Sequence, residues 1–201
     1  MRPVPRVPPF DREATYEDLK KVPDSMVAEM LGGELHAFPR PALPHANLAS
    51  AISVMVGGPY QFGRGGPGGW LILFEPELHF GRDVLVPDYA GWRKTRLPAV
   101  PDAPWLALAP DWACEFLSPS TAAFDRKQKL QIYAREGIPW MWMIDPGART
   151  LEVLRLEDRR WSVFGVHAGN EVLRAEPFTE IELDLATFWA DLAEPASTTK
   201  Y

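Results

Sequence analysis

A single carboxylate inside an otherwise apolar segment restricts what this chain can fold into more than any other feature. The segment Trp112–Leu117 reads Trp-Ala-Cys-Glu-Phe-Leu, which predicts a buried strand that carries Glu115. A strand-breaking segment, a helix and a second apolar strand are predicted after it, at Ser118–Thr121, at about Ala122 to Arg135, and at Trp140–Ile144. A buried carboxylate is costly in isolation, so Glu115 needs a cation, a hydrogen-bond network or a metal ion.

Asp88 interrupts a second segment of apolar character, Asp83–Trp92, which predicts another strand. Two carboxylates on neighbouring strands would form the oxygen-rich kind of site that Mg²⁺ prefers. An ordinary structural interpretation stays open for each residue. Asp88 follows Pro87 and can mark a turn at a strand end, and Glu115 can lie on a solvated strand face.

The remaining sequence predicts one α+β domain. A chain of 201 residues with 46% hydrophobic and 24% charged residues is long enough for one sizeable core and short for two. We expect residues 1–12 to form a flexible proline-rich arm, residues 13–193 a single domain, and residues 194–201 a flexible tail.

Hydrophobic periodicity and turn residues predict the other elements. They are a short capped helix from Thr15, strands Met26–Leu31 and Glu34–Phe38 around a glycine turn, a helix from His45 to about Val56, a mobile loop Gly57–Gly69, strands Trp70–Phe74 and Glu77–Phe80, a hairpin of Leu151–Leu156 with Trp161–Val166, and a terminal helix Leu185–Leu192. Together they predict a central mixed sheet flanked by helices, with additional β-hairpins.

Composition limits the function classes. The chain has 21 basic and 27 acidic residues and a net charge of -6, which counts against avid nonspecific binding to DNA. An enzyme whose metal ions offset phosphate charge remains compatible with it. No apolar stretch approaches the roughly 18 residues of a membrane span, and the N-terminus lacks the apolar core of a secretory signal, so we expect a cytoplasmic protein.

The helix predicted after Glu115 carries a polar stripe. Asp125, Lys129 and Tyr133 are spaced at i, i+4 and i+8 and therefore share one face. The ordinary interpretation is a solvated stripe with one helical ion pair. The helix starts so soon after Glu115 that its early turns can also lie near that carboxylate, where Lys129 would orient water or stabilise charge on a phosphate.

Other reactive side chains give weaker signals. His45 lies near a predicted helix start and is either a surface or capping residue or a group that approaches the cleft. The other histidines lack zinc-ligand spacing, and the single cysteine, Cys114, excludes an internal disulfide. We expect Cys114 to be buried on the sheet face opposite Glu115. Ser118, Ser120 and Cys114 have no plausible nearby base, so nucleophilic catalysis is not favoured.

A longer pattern resembles the bacterial Uma-type family of putative restriction endonucleases, which carry the PD-(D/E)XK nuclease fold. The similarity runs from Thr15 to about Asp145 and is most specific between Glu115 and Tyr133. The residues that carry it are Thr15-Tyr16-Glu17-Asp18-Leu19, Glu29, Gly33-Glu34-Leu35, His45, Val86-Pro87-Asp88, Glu115 to Thr121, Asp125, Lys129, Tyr133, Gly137, Trp142 and Asp145-Pro146.

The resemblance implies a homodimeric, Mg²⁺- or Mn²⁺-dependent endonuclease that acts on DNA. Asp88 and Glu115 would hold the metal, and the Phe116 carbonyl is a possible further ligand. Leu117 stands where the motif lysine should be, and the resemblance points to Lys129 as its replacement. Glu29 would be an additional acidic group, while Asp125 and Tyr133 would orient Lys129.

Two departures and two alternatives accompany this interpretation. Gly32 and Trp140 stand where relatives usually have acidic residues, which could alter the rim of the site. The first alternative is a non-catalytic module that keeps the nuclease fold for binding or assembly, as the acidic composition slightly favours. The second is a glycoside hydrolase with two carboxyls facing each other across a sugar-sized groove.

Overall fold

The computed structural model describes residues 12–40, 42–119 and 121–193. All of the predicted N-terminal arm except Arg12, and the whole predicted tail of residues 194–201, lie outside the described residues. Within them, no helix is long and apolar enough to cross a membrane.

Twelve strands and five α-helices make up the described chain. The strands are β1 (Met26–Leu31), β2 (Glu34–Pro39), β3 (Trp70–Phe74), β4 (Leu78–Phe80), β5 (Asp83–Leu85), β6 (Tyr89–Arg93), β7 (Trp112–Phe116), β8 (Trp140–Asp145), β9 (Thr150–Glu157), β10 (Arg160–Ala168), β11 (Val172–Ala175) and β12 (Phe178–Asp184). The helices are α1 (Tyr16–Leu19), α2 (Leu43–Ile52), α3 (Ala122–Phe124), α4 (Leu130–Arg135) and α5 (Ala186–Trp189). Two π-helical segments extend them: Ser53–Gln61 continues α2, and Asp125–Lys129 joins α3 to α4.

The central sheet is mixed, as predicted. Its six strands lie in the order β10-β9-β8-β7-β6-β3, beside a four-stranded sheet β2-β1-β5-β4 and the hairpin β11-β12. Strands β7 and β8 run parallel, and their neighbours in this sheet pair antiparallel. A parallel pair needs a crossover connection, and the helix from α3 to α4 supplies it. The carboxyl ends of β7 and β8 therefore meet at one edge of the sheet.

Hydrophobic clusters cover both faces of the central sheet. Alternation along β7 sends Trp112, Cys114 and Phe116 into one cluster, with α2 and α5, and sends Ala113 into the other, with α4. Cys114 is fully buried, and its face is opposite the one that Glu115 shares with the α3–α4 helix, which confirms the predicted placement of this thiol.

The predicted strand Asp83–Trp92 is wrong, because the chain changes sheets within it. Strand β5 belongs to the four-stranded sheet and β6 to the central sheet. Between them the Val86 amide donates to a Glu29 carboxylate oxygen at 2.7 Å, and Pro87 has no amide hydrogen to give to a ladder. Asp88 therefore lies just before β6 rather than inside a strand.

Two further predictions needed correction, and one element was missed. The loop expected over Gly57–Gly69 begins only after Gln61, since Tyr60 is buried and its hydroxyl donates to Glu180 at 2.8 Å. The terminal helix is confined to Ala186–Trp189. The hairpin β11–β12 was not predicted, and Phe178 and Leu183 of β12 are fully buried in the core.

Candidate active site

An open cleft of about 600 Å³ lies at the carboxyl ends of β7 and β8. We call it the acidic cleft, because six carboxylate side chains are among its lining residues: Glu29, Glu75, Asp88, Glu115, Asp125 and Asp145. The same lining contains His45, Phe116 and Lys129. Most of the residues that the sequence indicated as functional are therefore brought into one cavity by two sheets and two helices.

Lys129 is the centre of a buried ionic cluster. Its Nζ lies 3.0 Å from Glu29 Oε1, 3.2 Å from each carboxylate oxygen of Glu115, and 3.4 Å from Asp125 Oδ1. All four residues are buried. The π-helical segment holds Asp125 and Lys129 on the buried side of its helix, and π-helical turns are frequent at functional sites.

The electrostatics of this cluster follow from burial and from its charge balance. Burial lowers the pKa of Lys129, but Glu115, Glu29 and Asp125 more than offset that effect, and the pKa lies well above its ordinary value. Burial raises the pKa of Glu115 well above its ordinary value, and that of Glu29 is also raised, although Lys129 acts in the opposite direction on both. The ammonium stays charged, while the carboxylates are under pressure to bind a proton or a cation.

Tyr133 completes the contacts of Glu115. Its hydroxyl, two helical turns after Asp125, donates to Glu115 Oε1 over 2.6 Å. Burial and the nearby carboxylates raise the pKa of Tyr133 well above its ordinary value, so the phenol keeps its proton and remains a donor. The predicted stripe of Asp125, Lys129 and Tyr133 thus faces Glu115 and is buried rather than solvated.

Asp88 lies level with Glu115, because the next residue, Tyr89, pairs with Cys114 across β6 and β7. Its Oδ2 accepts a hydrogen bond from the Phe116 amide at 2.6 Å. Burial raises the pKa of Asp88 to about 7, although the Phe116 amide and Lys129 oppose the shift. The Phe116 amide and Lys129 therefore offset only part of the cost of burying the charged form of Asp88.

The oxygen donors of the acidic cleft suit a hard divalent cation. Three buried carboxylates, Glu29, Glu115 and Asp125, and the half-buried Asp88 share a single ammonium, so the site has more carboxylates than cations to compensate them. Among the described residues, no three acidic, histidine or cysteine side chains are arranged as a complete protein cage for a metal. Mg²⁺ commonly binds through one or two carboxylates with waters and substrate phosphates, so Asp88 and Glu115 fit that mode.

His45 reaches the cleft from α2. Its Nε2 lies 3.0 Å from the carbonyl oxygen of Phe116, and its ring packs edge-on to the Phe116 ring. The two peptide groups that flank Phe116 are thus held separately, the one before it by Asp88 through the Phe116 amide and the one after it by His45 through the Phe116 carbonyl. His45 is half-buried and lines the acidic cleft.

Comparison with known proteins agrees with this architecture. The family described as putative restriction endonuclease, Uma2, matches residues 14–187. The chain belongs to the Uma2 family. Among solved structures, it is similar to a putative nuclease belonging to DUF820 from Anabaena variabilis, with a TM-score of 0.66 and 22% identity over 88% of this chain and 97% of the other. No curated protein matches.

In this Uma2 member the residue two positions after Glu115 is a buried leucine. Leu117 donates its amide to Ile144 and packs among the apolar residues under α4. Lys127 is exposed on the outer side of the helix, whereas Lys129 is buried in the cluster. Among the described residues that line the cleft, the cations are Lys129 and Arg40.

Two carboxylates of the acidic cleft were not predicted from the sequence as site residues. Glu75 and Asp145 both line the acidic cleft. Glu75 has a positive φ of 45°, and its amide donates to the Asp88 carbonyl at 3.0 Å. A shared signal could have indicated both residues, because each lies at the end of an apolar strand and directly precedes a proline.

Proposed function

We propose that this Uma2 protein is a Mg²⁺- or Mn²⁺-dependent DNA endonuclease. The observation that carries the proposal is the contact of Lys129 with both carboxylate oxygens of Glu115, at 3.2 Å each, in a cleft shared with Asp88. Two acidic groups and one cation are the side chains that metal-assisted phosphodiester hydrolysis requires. The Uma2 family is described as putative restriction endonuclease and the structural neighbour as a putative nuclease, which supports the same activity.

Asp88 and Glu115 would hold the divalent cation. When bound, the cation supplies positive charge to the scissile phosphate and lowers the pKa of nearby water. The chain's own contribution is to keep both carboxylates in place: Asp88 through the Phe116 amide, and Glu115 through Tyr133 and Lys129. Carboxylates held in this way require little reorganisation when substrate arrives.

Lys129 acts as a fixed positive charge rather than as a base. Its surrounding carboxylates keep its pKa well above the ordinary value, so it remains protonated at neutral pH. Its charge would stabilise the negative charge that develops on a phosphate bound beside Glu115 in the transition state. Asp125, 3.4 Å away on the same helix, and Tyr133 are positioning residues for Lys129 and Glu115.

The reaction is hydrolysis. A water oxygen forms a bond to phosphorus, the bond from phosphorus to one sugar oxygen breaks, and that oxygen takes up a proton. The products are a phosphate monoester end and a hydroxyl end. A homodimer would present two clefts related by two-fold symmetry, which suits cleavage of both strands, and we include dimerisation and action in the cytoplasm in the proposal.

Cleavage of circular DNA tests this function. Supercoiled duplex and single-stranded circles are incubated with purified protein while Mg²⁺ or Mn²⁺ is titrated from zero. We expect cleavage to require the metal and to be lost in Glu115→Ala. Because circular DNA has no ends for an exonuclease, any cleavage of it is endonucleolytic. Cleavage that persists in the variant, or that needs no metal, would contradict the proposed site. Inactivity of both proteins on every circle would favour the non-catalytic alternative.

A further inference from the structure

The acidic cleft is lined to a large extent by rigid apolar residues. Four prolines from separate segments contribute, together with aliphatic and aromatic side chains: Pro39, Pro44, Pro119, Pro146, Val27, Phe38, Leu117 and Leu192. Leu43 lies between the lining residues Ala42 and Pro44 and is 85% exposed. Leu43 thus adds an exposed apolar side chain next to the apolar part of the cleft lining.

Cations are scarce in the same lining. Lys129 already contacts three carboxylates within 3.4 Å, and Arg40 donates its Nε to the Asp24 carbonyl. Proteins bind duplex DNA largely by neutralising several phosphates with lysine and arginine. A cleft with six carboxylates and two cations offers little of that affinity, so its substrate must gain binding energy elsewhere.

The size of the cleft limits the form of the substrate. About 600 Å³ lies within the range of small-molecule pockets and encloses roughly one or two nucleotides. A duplex could present only one backbone to such a cavity, and its stacked bases could not reach the apolar lining. A single strand can turn its bases outward and bring both the phosphate and the base faces into the cleft.

We propose that the acidic cleft takes single-stranded DNA. The bases pack against the apolar lining around Leu43, while the phosphate lies at Asp88, Glu115 and Lys129. This inference rests on the proposed function, which supplies the phosphate chemistry. Binding through base faces tolerates many sequences. Because the cleft offers only two cations for phosphate contacts, we expect its salt dependence to be weak.

Binding is measured by fluorescence anisotropy on one labelled oligonucleotide, either alone or annealed to its complement, with Ca²⁺ replacing Mg²⁺ to prevent cleavage. We expect the single strand to bind at least about tenfold more tightly than the duplex. Its affinity should change little between about 50 and 200 mM salt. Equal or tighter duplex binding, or a steep salt dependence, would overturn the inference.

Leu43→Asp is the variant that separates the apolar contact from general folding. Leu43 is the first residue of α2, where an acidic side chain is compatible with the helix dipole. The control is Val54→Asp, because Val54 is 69% exposed and lines a different groove. We expect Leu43→Asp to weaken single-strand binding about tenfold and Val54→Asp to leave it unchanged. Equal effects of the two changes would overturn the proposal.

Cleavage of the same oligonucleotides in Mn²⁺ distinguishes the two proposals. If single-strand binding depends on Leu43 but no metal supports cleavage, the proposed enzymatic function is wrong and the binding inference is supported. If the protein cleaves duplex DNA in preference to the single strand, the single-strand inference is wrong and the proposed nuclease function is supported. Absence of binding to either form overturns both.

Discussion

Lys129 Nζ lies 3.0 Å from Glu29 Oε1, slightly closer than it lies to either carboxylate oxygen of Glu115. Glu29 comes from β1 of the four-stranded sheet, whereas Lys129 comes from the helix that crosses the central sheet. The same Glu29 oxygen accepts the Val86 amide at 2.7 Å, just before Asp88. The Glu29 carboxylate therefore contacts both Lys129, on the helix that crosses the central sheet, and the backbone just before Asp88.

Glu29→Gln should distinguish a structural role of Glu29, through its contacts with Lys129 and the Val86 amide, from a role in metal binding. Glutamine keeps an acceptor for the Val86 amide and removes one of the three buried carboxylates that contact Lys129, so we expect the free energy of unfolding to change little or to rise. Nuclease activity should fall by less than about tenfold, against about a hundredfold or more for Glu115→Gln. Steady-state cleavage rates and urea unfolding of both variants provide the comparison. Equal loss in the two would make Glu29 a metal ligand.

Lys129→Met should reduce activity by about a hundredfold or more, because the cleft loses its buried positive charge. Burial adds a second effect: three carboxylates within 3.4 Å lose their partner, which destabilises the protein by up to about 3–5 kcal/mol unless they bind protons. Lys127→Met changes an exposed lysine of the same helix and should leave both quantities unaffected. Rates are measured below the melting temperature of each variant, and a greater loss in Lys127→Met would refute the assignment.

How much of this site could be predicted depends on how local each signal is. The unit from β7 to β8 was predictable, since apolar runs, breakers and helical spacing all lie within about thirty residues. The same spacing placed Asp125, Lys129 and Tyr133 on one face. It could not show that this face is buried, because the three partner carboxylates include Glu29, a hundred residues earlier in the chain.

The errors in the fold have the same physical origin. The break at Val86 depends on a side chain 57 residues away, and the helical turn at Tyr60 is stabilised by Glu180, 120 residues away. Glycine and proline in Gly57–Pro59 favour a loop locally, but packing of Val56 and Tyr60 in the core outweighs that propensity. Single-residue propensity carries no information on such distant partners.

Asp88 should make stability depend on pH in the absence of divalent metal. Its pKa is about 7 in the folded protein, above the ordinary value of 3.8, so the folded state holds the proton more tightly than the unfolded state does. Its contribution to stability is therefore greatest below pH 4 and declines as pH rises from about 4 to about 7. The total decline is at most about 4 kcal/mol.

Urea unfolding in EDTA, compared with Asp88→Asn, isolates this contribution from the other buried carboxylates. The asparagine variant has no charge to bury, so its stability relative to the wild type should increase between pH 5 and pH 8. A difference that stays constant over this interval would show that Asp88 titrates near its ordinary value.

Tyr133→Phe should lower the turnover number about tenfold with little change in KM. The change removes the 2.6 Å hydrogen bond that fixes Glu115 and leaves the ring volume in place. Tyr60→Phe is the matched control, because Tyr60 is equally buried and donates to a carboxylate outside the cleft, Glu180, at 2.8 Å. Both variants should lose about 1–3 kcal/mol of stability. Only Tyr133→Phe should affect turnover, and a similar loss in Tyr60→Phe would indicate a purely structural role.

His45 should act as a positioning residue for the end of β7. Its Nε2 bonds the Phe116 carbonyl, and the Phe116 amide is bonded to Asp88, so the backbone of the residue next to Glu115 is held at both its amide and its carbonyl. In His45→Leu the carbonyl loses its donor, and we expect turnover to fall about tenfold. In His45→Gln the amide nitrogen can replace Nε2, and most of the activity should return. A purely steric role would make the leucine and glutamine variants equally active or equally impaired. Steady-state kinetics of the two variants decide between these roles.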